Sequence, residues 1–125
     1  AAFGAASMQN CAASVIATVV SCPYEDQIVI DGGSKAFATD IPPNAAPLYL
    51  QGYGHIHDMP SAVLQSLSEE HGIIHVPPGH PFRIGDRVSI IPNHICSTLN
   101  LYNEAWIVNA GSVHRLPISA RGHSW

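Results

Sequence analysis

Charge is what this chain has least of. Asp, Glu, Lys and Arg make up 11% of its 125 residues, against about 25% in a typical soluble domain. Five basic residues are scattered along the sequence, with a formal net charge of −4. No basic stripe exists to meet a phosphate backbone, so nucleic-acid binding is excluded as a main function. Long apolar runs are absent too. A membrane helix needs about 20 consecutive apolar residues, so no membrane role is expected. The start, Ala1-Ala2-Phe3-Gly4, lacks the charged region of a secretory signal. Three cysteines (Cys11, Cys22, Cys96) at irregular spacing do not make a disulfide framework. They suit reduced thiols and a cytoplasmic location. So few charges leave two readings open: a face covered by another domain, or a neutral, hydroxyl-rich surface.

What is present is mostly β patterning. Ser14–Val20, Gln27–Asp31, Gly72–Val76 and Asp86–Ile91 are rich in β-branched residues and end at Gly or Pro. Leu48–Leu50 and Tyr53–Ile56 form a weaker strand region broken by Gly52 and Gly54. Glu104–Val108 and Ser112–Leu116 flank Asn109-Ala110-Gly111, a hairpin signal. Ser61–Leu67, after Pro60, predicts about two helical turns. Residues 1–13 are small and ambiguous, and Asp40–Pro47, with three prolines, reads as an ordered loop. The fold class expected is mainly β, a barrel or sandwich with little helix, in a single domain over 1–125.

Eight histidines invite a metal reading. The sharpest local feature is Pro92-Asn93-His94-Ile95-Cys96. In an extended segment, residues i and i+2 share a face, so His94 and Cys96 would aim side by side. An imidazole and a thiolate suit zinc better than manganese or magnesium. On spacing alone, a buried thiol beside a backbone-bonded histidine is the commoner arrangement. Two protein ligands also leave a tetrahedral site half empty, which fits a site completed by substrate or water. His71, in Ser68-Glu69-Glu70-His71-Gly72, is the first suspect for a further ligand, although that segment also reads as a solvated turn. Asp31-Gly32-Gly33-Ser34-Lys35 reads either as an anion-binding nest or as a tight turn. Gly54-His55-Ile56-His57 resembles half of a cupin metal motif, but the next acids, Asp58 and Glu69, stand at the wrong spacing.

In order, Ala17-Thr18-Val19-Val20-Ser21, Asp31-Gly32-Gly33-Ser34-Lys35-Ala36, Ser68-Glu69-Glu70-His71-Gly72, Gly85-Asp86-Arg87-Val88, Pro92-Asn93-His94-Ile95-Cys96-Ser97-Thr98-Leu99-Asn100-Leu101 and Ala120-Arg121-Gly122 resemble the C-terminal domain of the D-serine dehydratase and D-threonine aldolase family. The resemblance implies a barrel-like C-terminal domain of the alanine racemase fold group. It implies a homodimeric enzyme whose N-terminal (β/α)8 barrel carries pyridoxal phosphate and its Schiff-base lysine. Such a barrel needs about 250 residues, so the expectation is that it lies outside this chain. The catalytic lysine would lie outside with it, leaving Lys35, the only lysine here, without that role.

The resemblance also makes His94 and Cys96 the metal pair. Cys at the second position is dehydratase-like, whereas aldolase-like members tend to carry Asp. The function implied is the metal half of a D-amino acid lyase, most like a D-serine dehydratase converting D-serine to pyruvate and ammonia. Zinc, or another divalent ion, would act as a Lewis acid at the β-hydroxyl. Two alternatives stay open: retro-aldol cleavage of the D-threonine aldolase type, and a free-standing, non-catalytic β-barrel binding module. The isolated chain is expected to be inactive.

Overall fold

The computed structural model describes residues 7–123, so residues 1–6 of the ambiguous start lie outside the described part. A 3-10 turn at Met8–Asn10 is followed by β1 (Val15–Tyr24), β2 (Gln27–Ile30), β3 (Gly54–Ile56), β4 (Val63–Leu67), β5 (Gly72–His75), β6 (Arg87–Pro92), α1 (Ile95–Leu99), β7 (Glu104–Asn109) and β8 (Ser112–Pro117). The first six strands close into a barrel in the order β1-β2-β5-β4-β3-β6. Every pairing in it is antiparallel.

Alternation explains the barrel. Along β2, Ile28 and Ile30 are fully buried while Gln27 and Val29 are not, and β6 repeats this with Val88 and Ile90. Ala17 and Val19 from β1, Ile56 from β3, Leu64 from β4 and Ile74 from β5 complete the interior. Phe37, from the loop after β2, is also fully buried. The mainly β, barrel-like expectation therefore holds, and closure satisfies the strand edges within the barrel.

The structure corrects three expectations. Ser61–Leu67 does not hold a helix; Val63–Leu67 is β4. A bulge between Leu64 and Ser66 interrupts the pairing with β5. The extra residue brings Leu64 and Leu67 three apart, a spacing that imitates a helical face, while the ladder to β5 decides the outcome. The first strand does not stop at Val20 but runs to Tyr24. Register shifts between Val19 and Tyr24 accommodate Pro23, since a bulged strand tolerates proline. In the weak third region only Gly54–Ile56 is a strand, because Tyr49 takes a positive φ of 47°.

The hairpin forms as expected, with β7 and β8 paired from Glu104↔Pro117 to Asn109↔Ser112. Its central residues Ala110 (φ 44°) and Gly111 (φ 87°) are both left-handed, which is the type I′ geometry that matches strand twist. Among the described residues, the hairpin pairs with no barrel strand. Trp106, Val108 and Val113 are exposed on one face, and Ile107 and Leu116 on the other. Among the described residues, no helix is long and apolar enough to cross a membrane.

Candidate metal-binding site

Strand β6 ends at Pro92, and the chain turns at once into α1. Asn93 secures the turn by donating from Nδ2 to the Gly52 carbonyl at 2.9 Å. His94 is the N-cap of α1, with extended backbone angles (φ −139°, ψ 105°) and no side-chain capping bond. Its ring is therefore free for another partner. Cys96 lies inside the helix, so the expectation that the two side chains share one face of an extended segment does not hold. Strand alternation ends at His94, and helical neighbours two apart do not face each other. The Cys96 thiol is exposed, which excludes the buried-thiol alternative. All three cysteines are free.

The partner of His94 is Asp40, 54 residues earlier in the chain: Nδ1 lies 2.5 Å from Asp40 Oδ2. Ser97, one helical turn on from His94, donates from Oγ to the same carboxylate oxygen at 2.9 Å. It also sits 3.1 Å from His94 Nδ1. The hydrogen bond from His94, then that from Ser97, holds the Asp40 carboxyl below its ordinary range, against the opposing effect of partial burial. Sequence reading missed both Asp40 and Ser97. Asp40 stood only as the first residue of a proline-rich loop, and no local spacing connects it to His94.

The loop from Asp31 to Asp40 is built to deliver that carboxylate. Asp31 Oδ1 accepts from the Thr18 backbone N–H at 2.6 Å. Ser34 and Lys35 donate their N–H groups to the Ser68 and Glu69 carbonyls at 2.8 and 3.1 Å. Those two amides are spent, so the segment is a tight turn packed on the β4–β5 turn and not an anion nest. Gly33 permits the approach: a Cβ there would come within 2.5 Å of the Glu69 carbonyl group. From the other side, the buried Thr98 of α1 accepts from the Ala38 N–H through Oγ1 at 3.4 Å. Tyr102 donates from its hydroxyl to the Ala36 carbonyl at 2.9 Å.

The remaining candidates fall elsewhere. Lys35 pairs with Glu70, and both side chains are exposed, so the acidic run is the solvated turn it resembles. His71 is exposed on that turn, where its backbone N–H is bonded to Ser68 Oγ. Among the described residues, no group of three or more His, Cys, Asp or Glu could hold a metal ion. His71 therefore does not join the pair, and the half-cupin motif finds no acid. His55 instead lines an open cleft of about 300 Å³ with Met8, Cys11, Pro92 and Asn93. Neither His94 nor Cys96 lines that cleft.

A family model described as "Putative serine dehydratase domain" matches residues 12–108. The chain belongs to this family. As a member of it, the chain is 34% identical over 128 residues to an uncharacterized protein of Mycobacterium tuberculosis, covering 96% of this chain and 91% of that protein. It is 31% identical over 112 residues to the D-threonine aldolase of Arthrobacter sp., covering 88% of this chain but 27% of the aldolase. Among solved structures, D-threo-3-hydroxyaspartate dehydratase from Delftia sp. HT23 superposes with a TM-score of 0.82 at 28% identity, covering 99% of this chain and 35% of that one. An alanine racemase-like protein of Idiomarina loihiensis superposes at 0.73, with 25% identity, 83% of this chain and 30% of that one covered. The fold and family implied by the sequence motifs thus hold. This chain spans about a third or less of the length of the matched enzymes. D-threo-3-hydroxyaspartate dehydratase has also been solved with a histidine, or the cysteine two positions after it, replaced by alanine, the cysteine variant in the metal-free form.

Proposed function

We propose that this chain is the metal-carrying domain of a pyridoxal-phosphate-dependent D-amino acid lyase, with His94 and Cys96 as the metal donors and zinc as the preferred ion. One observation carries the reading. Asp40 occupies Nδ1 of His94 and leaves Nε2 to bond a cation, two positions before an exposed thiol. A carboxylate on the far nitrogen is the usual companion of a zinc-bound imidazole. The donor set therefore fits the ion: one imidazole, one soft thiolate, and coordination positions left for water or substrate. The histidine and cysteine replaced in the D-threo-3-hydroxyaspartate dehydratase variants have the same two-residue spacing, which supports the assignment.

Bound zinc would supply Lewis acidity toward the β-hydroxyl of a D-amino acid. The chain's own residues do the preparatory work. Asp40 holds the proton at Nδ1 of His94, Ser97 fixes the orientation of that carboxylate, and α1 leaves the Cys96 thiol exposed. The pyridoxal phosphate and its lysine are assigned to a separate (β/α)8 domain, and the pairing of Lys35 with Glu70 supports leaving Lys35 out of that role. The natural setting is a cytoplasmic homodimer acting on D-serine or a related 3-hydroxy-D-amino acid.

The test is zinc titration of the purified chain and of His94→Ala and Cys96→Ala, followed by calorimetry or NMR. Each replacement is expected to weaken binding at least tenfold, and undiminished binding in either would overturn the assignment. The isolated chain with added zinc and pyridoxal phosphate is expected to leave D-serine intact; robust turnover would sink the division of labour between domains. Two other readings have specific support. The Arthrobacter relative favours retro-aldol chemistry, against which Cys96 argues. The mycobacterial relative, which this chain covers almost end to end, favours a free-standing binding module.

A further inference from the structure

Resting on the metal role proposed for His94, we infer that Asp40 is a positioning residue that sets the tautomer of His94, with Ser97 as its brace. The hydrogen-bond geometry at this corner favours one arrangement. Ser97 has a single hydroxyl proton, and it is directed to Asp40 Oδ2 at 2.9 Å. Ser97 Oγ therefore faces His94 Nδ1, 3.1 Å away, with a lone pair. The ionised Asp40 has only acceptors, and Oδ2 lies 2.5 Å from the same nitrogen. Nδ1 thus meets two oxygen acceptors and no donor. A lone pair on Nδ1 would repel both oxygens, so Nδ1 carries a hydrogen, and in the neutral ring Nε2 then carries the lone pair.

Magnitude separates this role from a stabilising one. The His94 and Asp40 side chains are 40% and 41% exposed, and exposed ion pairs contribute little to stability. An outer-sphere carboxylate on a metal-bound histidine changes metal affinity by about 10–100-fold. Asp40 is thus placed where its effect on ligation far exceeds its effect on folding. The surrounding structure is consistent with that use. The loop carrying Asp40 is tied to α1 through Thr98, to the segment after it through Tyr102, and to the β4–β5 turn through Ser34 and Lys35. Carboxylate and imidazole are therefore held to one relative position from two sides.

The experiment is long-range 15N–1H correlation NMR of the histidine rings in the metal-free chain, at a pH well above the ordinary imidazole pKa of about 6.5. Wild type is expected to show His94 with its hydrogen on Nδ1. Asp40→Ala is expected to move the population toward Nε2–H, and Asp40→Asn, which keeps an acceptor oxygen, to restore part of the Nδ1–H form. Zinc affinity should fall about 10–100-fold in Asp40→Ala and less in Ser97→Ala, with the melting temperature unchanged. His94 found as Nε2–H in wild type overturns the inference, as does zinc affinity in Asp40→Ala equal to wild type when His94→Ala has lost it. If the wild-type chain binds no zinc, the proposed metal role fails. The tautomer measurement needs no metal and judges Asp40 separately.

Discussion

The Tyr102 hydroxyl donates to the Ala36 carbonyl at 2.9 Å, joining the segment after α1 to the loop that carries Asp40. Tyr102→Phe keeps the ring and removes the bond, at a cost of about 1 kcal/mol. Burial holds the Tyr102 phenol above its ordinary value of 10.0. The unfolded chain therefore ionises first. The contribution of Tyr102 is fully present below pH about 10 and is lost as pH rises through the folded-state value. Urea unfolding at pH 8 and pH 11 should show wild type losing more stability between the two than Tyr102→Phe does; equal losses would count against this assignment.

Gly33 sets how closely the Asp31–Asp40 loop packs on the β4–β5 turn. A methyl group there meets the Ser68 and Glu69 backbone, which has no flexible side chain to give way. Gly33→Ala should cost about 1–3 kcal/mol as overpacking. It should also weaken zinc binding, because the loop that lifts away carries Asp40. Denaturant titration and zinc titration on the same sample check both effects.

Cys96 is exposed and lies outside the buried core. Cys96→Asp replaces a soft donor with a hard one and should leave the melting temperature within a degree or two of wild type. Selectivity should shift from zinc toward manganese. Competition between the two metals, read by elemental content after dialysis, tests it; an unchanged ratio would remove Cys96 from the donor set.

Ala110 sits at φ 44° in the hairpin turn. A left-handed alanine costs about 1–2 kcal/mol, and Asn at the first central position of a type I′ turn relieves most of it. Ala110→Asn should slow amide exchange across β7 and β8 and leave exchange in the barrel unchanged.

Strand periodicity makes most of this architecture legible. Ile28 and Ile30, or Val88 and Ile90, alternate cleanly with solvent-facing neighbours, so β2 and β6 can be read without their partners. Leu64 and Leu67 cannot be so read, because the bulge that sets their spacing exists only once β5 is alongside. The pair His94 and Cys96 stood out in the sequence by residue type, but its geometry was not legible there. Local residues do not reveal that α1 begins at Ile95, since its start depends on a neighbouring loop that binds Thr98 and Tyr102. Asp40 was not legible at all, because its partner lies 54 residues away and only the fold brings them together.

The barrel is sealed all the way round, but the hairpin of residues 104–117 keeps two open strand edges and apolar side chains on both faces. Strand addition between molecules starts at such edges. These few residues are therefore an expected point of self-association in the purified chain, bearing on its solubility limit and its tendency to gel or precipitate on storage.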